Sequence, residues 1–174
     1  VILQIAVLIL LVYVFYYFRQ NPFIPRLSII GPHNSGKTRL FFALRDRQVP
    51  QTVKSLKTNI YQGQLAGVLR TVEIIDFPSD FQYWVPNYHK KLMNSMVILL
   101  VVNKNNLNQL AQFLQDVRFT KFKSALTVCY QNGIREDVDE ILSSLKIKPL
   151  KSIKGCLTDD WDTKELDELL QANL

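Results

Sequence analysis

The stretch Gly31-Pro32-His33-Asn34-Ser35-Gly36-Lys37-Thr38 constrains this chain more than any other. It matches G-x-x-x-x-G-K-[ST], and the match carries weight because of what flanks it. The apolar run Leu27-Ser28-Ile29-Ile30 precedes it as a buried strand would, and residues 38–47 follow with a helical pattern. Two glycines let the backbone curl until successive N–H groups point at phosphate oxygens, and the helix N-terminus adds its positive end. Lys37 would reach the β- and γ-phosphates, while the Thr38 hydroxyl would bind magnesium. The rival reading is a Gly-rich turn with a chance lysine. The full strand, loop and helix context favours a nucleotide site or its descendant.

With 174 residues, 48% of them hydrophobic, the chain has room for one globular domain and an anchor. Residues 1–18 are apolar apart from Gln4 and a few tyrosines, and as a helix they would span roughly 27 Å, just enough for a thin bilayer. A cleaved signal peptide and a buried core helix are the rivals. The run exceeds the usual apolar core of a signal peptide, and no small-residue cleavage site follows it. Tyr13, Tyr16 and Tyr17 fall at the headgroup level of such a span, and Arg19 and Arg26 follow, which puts the C-terminal part in the cytosol. The expected organisation is therefore a transmembrane anchor (1–18), a proline-punctuated linker (19–25) and one domain (26–174).

The formal net charge is +6, and the positive excess lies before Asp159, the tail beyond it being acidic. No nucleic-acid module is recognisable and no direct DNA binding is expected, so basic residues near an anchor point to anionic lipid or to an ordinary solvated surface. Cys129 and Cys156 stand far apart without metal-ligand spacing and read as thiols rather than a disulfide.

Beyond the loop, 48–57 loses periodicity and reads as an ordered or switchable loop. The runs 59–67 and 69–76 read as an antiparallel hairpin turning at Gly67, the second ending on Asp76-Phe77-Pro78-Ser79. An acid at the end of a buried strand sits where an open α/β sheet keeps its ligands. Further strands are expected at 95–102, 125–130 and 150–154. Helices are expected around 107–117, 138–145 and 161–170, the last with a possible Asp162/Glu165 capping box. Phe81, Tyr83, Trp84 and Tyr88 form an aromatic cluster that suits either a partner surface or burial on the sheet. The fold class is α/β: a P-loop, Ras-like, mostly parallel sheet with one antiparallel edge strand and helices on both faces, preceded by one transmembrane helix.

The anchor, the stalk, the loop 31–38, the strand end Ile74-Ile75-Asp76-Phe77-Pro78, the run 97–102 and Phe113-Leu114 together resemble the beta subunits of the signal recognition particle receptor, close to the Arf and Sar families. The resemblance implies a GTP-binding subunit with magnesium. It also implies residence as a single-pass protein of the endoplasmic reticulum membrane, domain in the cytosol, holding the receptor's alpha subunit so that ribosomes dock there. It implies that Ser55 is a second hydroxyl ligand to magnesium beside Thr38, that Asp76 holds a metal-bound water, and that Ser79 offers its N–H to the γ-phosphate.

The chain departs from the family in three places. Ser79-Asp80 stands where Gly and a water-orienting residue are expected, so hydrolysis is expected to be weak or absent. The stretch Cys129-Tyr130-Gln131-Asn132-Gly133 lacks the carboxylate that selects guanine, leaving Tyr130 and Gln131 to cover the base. Cys156, in the loop 155–158 that stands in for Ser-Ala-Lys, completes the nucleotide-facing set. Asn103-Lys104-Asn105-Asn106 imitates the guanine motif, but it follows the wrong strand and lacks the aspartate. Two other functions remain open: an Arf- or Sar-like switch in vesicle traffic, and a scaffold whose nucleotide site has decayed.

Overall fold

The computed structural model describes residues 2–20, 23–46, 57–65, 68, 70–119, 125–130, 133–154 and 164–173. Helix α1 (Ile2–Gln20) leads into a domain whose elements are β1 (Arg26–Ile30), α2 (Lys37–Asp46), β2 (Asn59–Gln64), β3 (Thr71–Asp76), α3 (Phe81–Trp84), α4 (Tyr88–Met93), β4 (Val97–Val102), α5 (Leu107–Asp116), β5 (Ala125–Tyr130), α6 (Arg135–Ser144), β6 (Lys151–Lys154) and α7 (Lys164–Asn173). The six strands form one sheet in the order β2-β3-β1-β4-β5-β6. All neighbours are parallel except β2, which runs antiparallel to β3 at the edge.

The inner strands β1 and β4 are buried on both faces, and that explains their continuous apolar character, whereas the edge strand β2 is half-exposed and polar. In β4, Val97, Leu99 and Val101 point into one core with Leu40, Phe41 and Leu44 of α2 and Leu166 and Leu170 of α7. Ile98, Leu100 and Val102 alternate into the other, against Leu92 of α4, Leu110 and Leu114 of α5 and Leu142 of α6. Helices thus cover both faces, as the strand and helix alternation predicts.

Two details differ from the sequence reading. The hairpin is present, but β2 stops at Gln64 and β3 starts at Thr71, so its connection is longer than a tight turn; the turn placed at Gly67 lies outside the described residues. The fourth expected strand starts at Val97 rather than Ser95, because Ser95 is spent on the turn out of α4: its N–H bonds the Leu92 carbonyl and its hydroxyl meets Lys91 O and Ser28 Oγ. The capping box at Asp162/Glu165 involves a residue outside the described set.

The side chains described in α1, residues 3–17, are exposed on every side, Leu3 at 77% and Phe15 at 70%. Among the described residues no helix is long and apolar enough to cross a membrane; the α1 backbone itself runs for 19 residues, further than the side chains described in it.

Candidate phosphate-binding site

The site lies where β1, β3 and β4 end together, as expected of an open parallel sheet. β1 ends at Ile30 and the chain turns through 31–36 into α2, whose first residues are Lys37 and Thr38. The first turn closes with Leu40 N–H on the Gly36 carbonyl at 2.9 Å. Gly31 is required by a close approach: a Cβ there would collide with the Val101 carbonyl oxygen and come within 2.8 Å of Ser35 Oγ. Asn34 (φ 56°) and Gly36 (φ 95°) take left-handed conformations that curl the loop. The α2 N-terminus carries no acid in its first turn, which leaves its positive end available to an anion.

Lys37 lies across this loop, 7% exposed. Its Nζ donates to the Pro32 carbonyl at 2.8 Å and to Ser79 Oγ at 2.9 Å. Burial pushes its pKa down to about 8, against the opposing pull of Asp76 and Asp80. Ser79 therefore meets the site through its hydroxyl, and the Phe77 N–H on the Ile29 carbonyl (3.0 Å) keeps this segment against β1.

Asp76 ends β3 and is 1% exposed. Its Oδ2 accepts from Thr38 Oγ1 at 2.9 Å and from Asn59 Nδ2 at 2.8 Å, while Oδ1 is buried with no partner among the described residues. Burial raises its pKa, offset in part by the bonds from Asn59 and Thr38 and by Lys37. An orphaned carboxylate oxygen next to a threonine hydroxyl is an oxygen donor set that suits magnesium. The residues present fit that ion.

Sequence reasoning missed three contributors. Asn59, paired in register with Asp76 across β2 and β3, supplies the bond just described. Asn103 and Asn106, dismissed as an imitation of a base motif, hold the loop from the side: Asn103 Nδ2 donates to the Asn34 carbonyl at 2.6 Å and Asn106 Nδ2 to the His33 carbonyl at 3.2 Å. They also brace each other, Asn103 N–H donating to Asn106 Oδ1 at 3.0 Å. His33, expected in the loop, is brought to Asp80, Nε2 to Oδ1 at 2.8 Å.

Of the other predicted site residues, Tyr130 is buried at the end of β5. Ser55, Gln131 and Cys156 lie outside the described residues. The aromatic cluster divides in two. Phe81 is buried against Phe77, Tyr88 and Phe113, with ring centroids 5.0, 5.1 and 6.2 Å away. Tyr83 and Trp84 remain 73% and 74% exposed and line a cavity of about 690 Å³ between α3 and α4.

The family model of the signal recognition particle receptor beta subunit matches residues 23–130. Among solved structures, a chain of the mammalian SRP receptor is similar with a TM-score of 0.65 at 15% identity, covering 86% of this chain and 100% of that one. The Arl6 BBS3 small GTPase from Trypanosoma brucei with the bound nucleotide analogue GppNp is equally similar, TM-score 0.65 at 11% identity, covering 87% of this chain and 98% of that one. No curated protein matches the chain by sequence.

Proposed function

Because this chain belongs to the signal recognition particle receptor beta subunit family, we propose that it is a membrane-anchored GTP-binding subunit that holds the receptor's alpha subunit at the endoplasmic reticulum, where ribosomes then dock. The observation that carries the nucleotide part is the buried Lys37 amine, set between Pro32 O and Ser79 Oγ at the mouth of the α2 N-terminus. A triphosphate would replace these two internal partners with charged oxygens, a stronger exchange around an amine that is already buried.

Thr38 would ligate magnesium directly, Asp76 would act through a bound water, and Ser55 would add the second hydroxyl. Magnesium bound there would neutralise charge between the β- and γ-phosphates. The chain's own residues do the rest: the loop N–H groups would cradle phosphate, Asn103 and Asn106 keep that loop in place, and Ser79, two residues before α3, would lose its bond from Lys37 when phosphate takes the amine. The exposed pair Tyr83 and Trp84, directly beyond that segment, suits the alpha subunit's docking, aromatic side chains being common anchors at interfaces. Hydrolysis should be weak, since the residue after Ser79 is an aspartate held by His33 and not a water-orienting glutamine or histidine.

Anchoring by α1 is supported by its described apolar side chains, exposed all round as lipid would cover them, and by a length of about 28 Å for 19 helical residues. Arg19 in the last turn of α1 and Arg26 beyond its end favour a cytosolic domain. The test is to purify the tagged, detergent-extracted chain, measure its nucleotide content and identify what copurifies. Bound guanine nucleotide together with the alpha subunit supports the reading. Absence of nucleotide would favour the scaffold, a reading encouraged by how completely Lys37 is satisfied from within the chain.

A further inference from the structure

The parallel strands all begin at one end of the sheet, opposite the phosphate loop, and the chain enters the domain at that end. There Glu73 N–H donates to the Pro25 carbonyl and Met96 N–H to the Arg26 carbonyl, each at 2.9 Å. Since α1 ends at Gln20, six residues of chain tether it within roughly 20 Å of Arg26 whatever its direction.

Most of the exposed large apolar side chains outside α1 gather at this same end. Phe23 precedes β1, Met93 closes α4, Met96 stands just before β4, and Leu150 just before β6, where its N–H bonds the Leu126 carbonyl at 2.6 Å. They are 74%, 65%, 39% and 57% exposed, and Met93 with Lys90 also lines the cavity of Tyr83 and Trp84, so this end adjoins the surface assigned to the alpha subunit. Lysines adjoin them in sequence: Lys90 and Lys91 in the last turn of α4 before Met93, and Lys146 and Lys148 in the loop before Leu150. The acids nearby are engaged, Glu73 with Arg26, Asp46 with Arg45, and Asp116 with the Gln112 amide.

Separate apolar side chains set among lysines, on the end of the domain nearest a tethered apolar helix, match an interfacial surface better than a protein groove. We propose that this end of the domain is a lipid-facing surface that rests on anionic phospholipid headgroups, with Met93, Met96, Phe23 and Leu150 entering the interface and the four lysines meeting the headgroup charge. This rests on reading α1 as the anchor. It would orient the phosphate loop, at the opposite end of the strands, toward the aqueous side.

The test uses the full chain reconstituted into vesicles of phosphatidylcholine alone or of phosphatidylcholine with phosphatidylserine. Met93 and Met96 are the chain's only methionines, so their rate of oxidation by a charged, membrane-impermeant oxidant reads the face directly by mass spectrometry. Oxidation should slow severalfold in the phosphatidylserine vesicles, and the protection should fade at high salt. Each unit of positive charge removed should weaken the hold about fivefold and a reversal removes two, so the double variant Lys90→Glu, Lys148→Glu, both exposed positions, should oxidise as in neutral vesicles while keeping its thermal midpoint. Resistance of the same samples to carbonate extraction judges the anchor separately. An extraction-resistant chain whose methionines oxidise equally in both vesicles overturns the lipid-facing surface and leaves the anchor standing. Protection conferred by added RNA but by neither vesicle assigns the lysines to nucleic acid and also overturns it.

Discussion

His33 Nε2 and Asp80 Oδ1 stand 2.8 Å apart and so tie the phosphate loop to the segment after β3, residues 47 apart in sequence. The bond runs beside the Lys37 bridge from Pro32 O to Ser79 Oγ, one residue further along on each side, so two links join the loop to that segment. Both side chains are more than a third exposed, which keeps the bond's contribution to stability small.

Asp80→Ala should accordingly change folding stability by no more than about 1 kcal/mol while speeding nucleotide association. Stopped-flow binding of a fluorescent nucleotide checks it. Unchanged association with the variant would mean that the pair does not gate the site.

Lys37→Ala should cost about 1.5 to 3 kcal/mol of nucleotide affinity, the worth of a charge-assisted bond. The free protein should not lose stability in proportion, because the buried amine already carries a desolvation penalty. Calorimetric titration beside a melting curve separates the two effects. Equal affinity in the variant would make the loop purely structural.

The same lysine sets a pH dependence. Below about pH 8 it is charged in the free protein; above that, bound phosphate must restore the proton, so affinity should fall with rising pH, by up to about tenfold per unit. Folding responds with the opposite sign. The unfolded chain keeps the proton up to the ordinary value of 10.5, so between pH 8 and 10.5 it binds more protons than the folded chain, and the free protein should gain stability across that window. Binding heats measured at pH 9 in buffers of different ionisation enthalpy should reveal proton uptake.

Asn106→Ala removes a buried amide, 2% exposed, that braces both Asn103 and the His33 carbonyl. The expected loss is about 1 to 3 kcal/mol of stability, together with weaker nucleotide binding as the loop loosens. Urea denaturation and a binding isotherm on the same preparation measure both. An affinity that survives the destabilisation would show that the loop holds its shape without this brace.

Base selectivity should be relaxed. The stretch after β5 carries Gly133 (φ 84°), with no atom of a described residue other than its chain neighbours within 4 Å of where its side chain would begin, and no carboxylate to pair with guanine. Unlabelled ATP should displace labelled GTP far more readily than from a strict guanine site. Strong preference for GTP would show that another group reads the base.

What the sequence by itself determined is the part that local chemistry dictates. The glycines and Lys37-Thr38 need no distant partner to define a phosphate loop, and continuous apolar runs four to six residues long, separated by helical periods, already imply a parallel sheet covered on both faces. Asp76 was legible because it ends such a run. Only the tertiary structure decided how those parts are supported. Asn103 reaches Asn34 across 69 residues and Asn106 reaches His33 across 73, contacts created by β4 ending beside β1 and invisible to any local pattern. The same register turned an apparent base motif into a brace for the loop, buried Lys37 until its pKa fell, and brought His33 to Asp80. Burial and long-range pairing depend on which strands become neighbours. That is a property of the assembled sheet, whereas loop and strand propensities are properties of the chain.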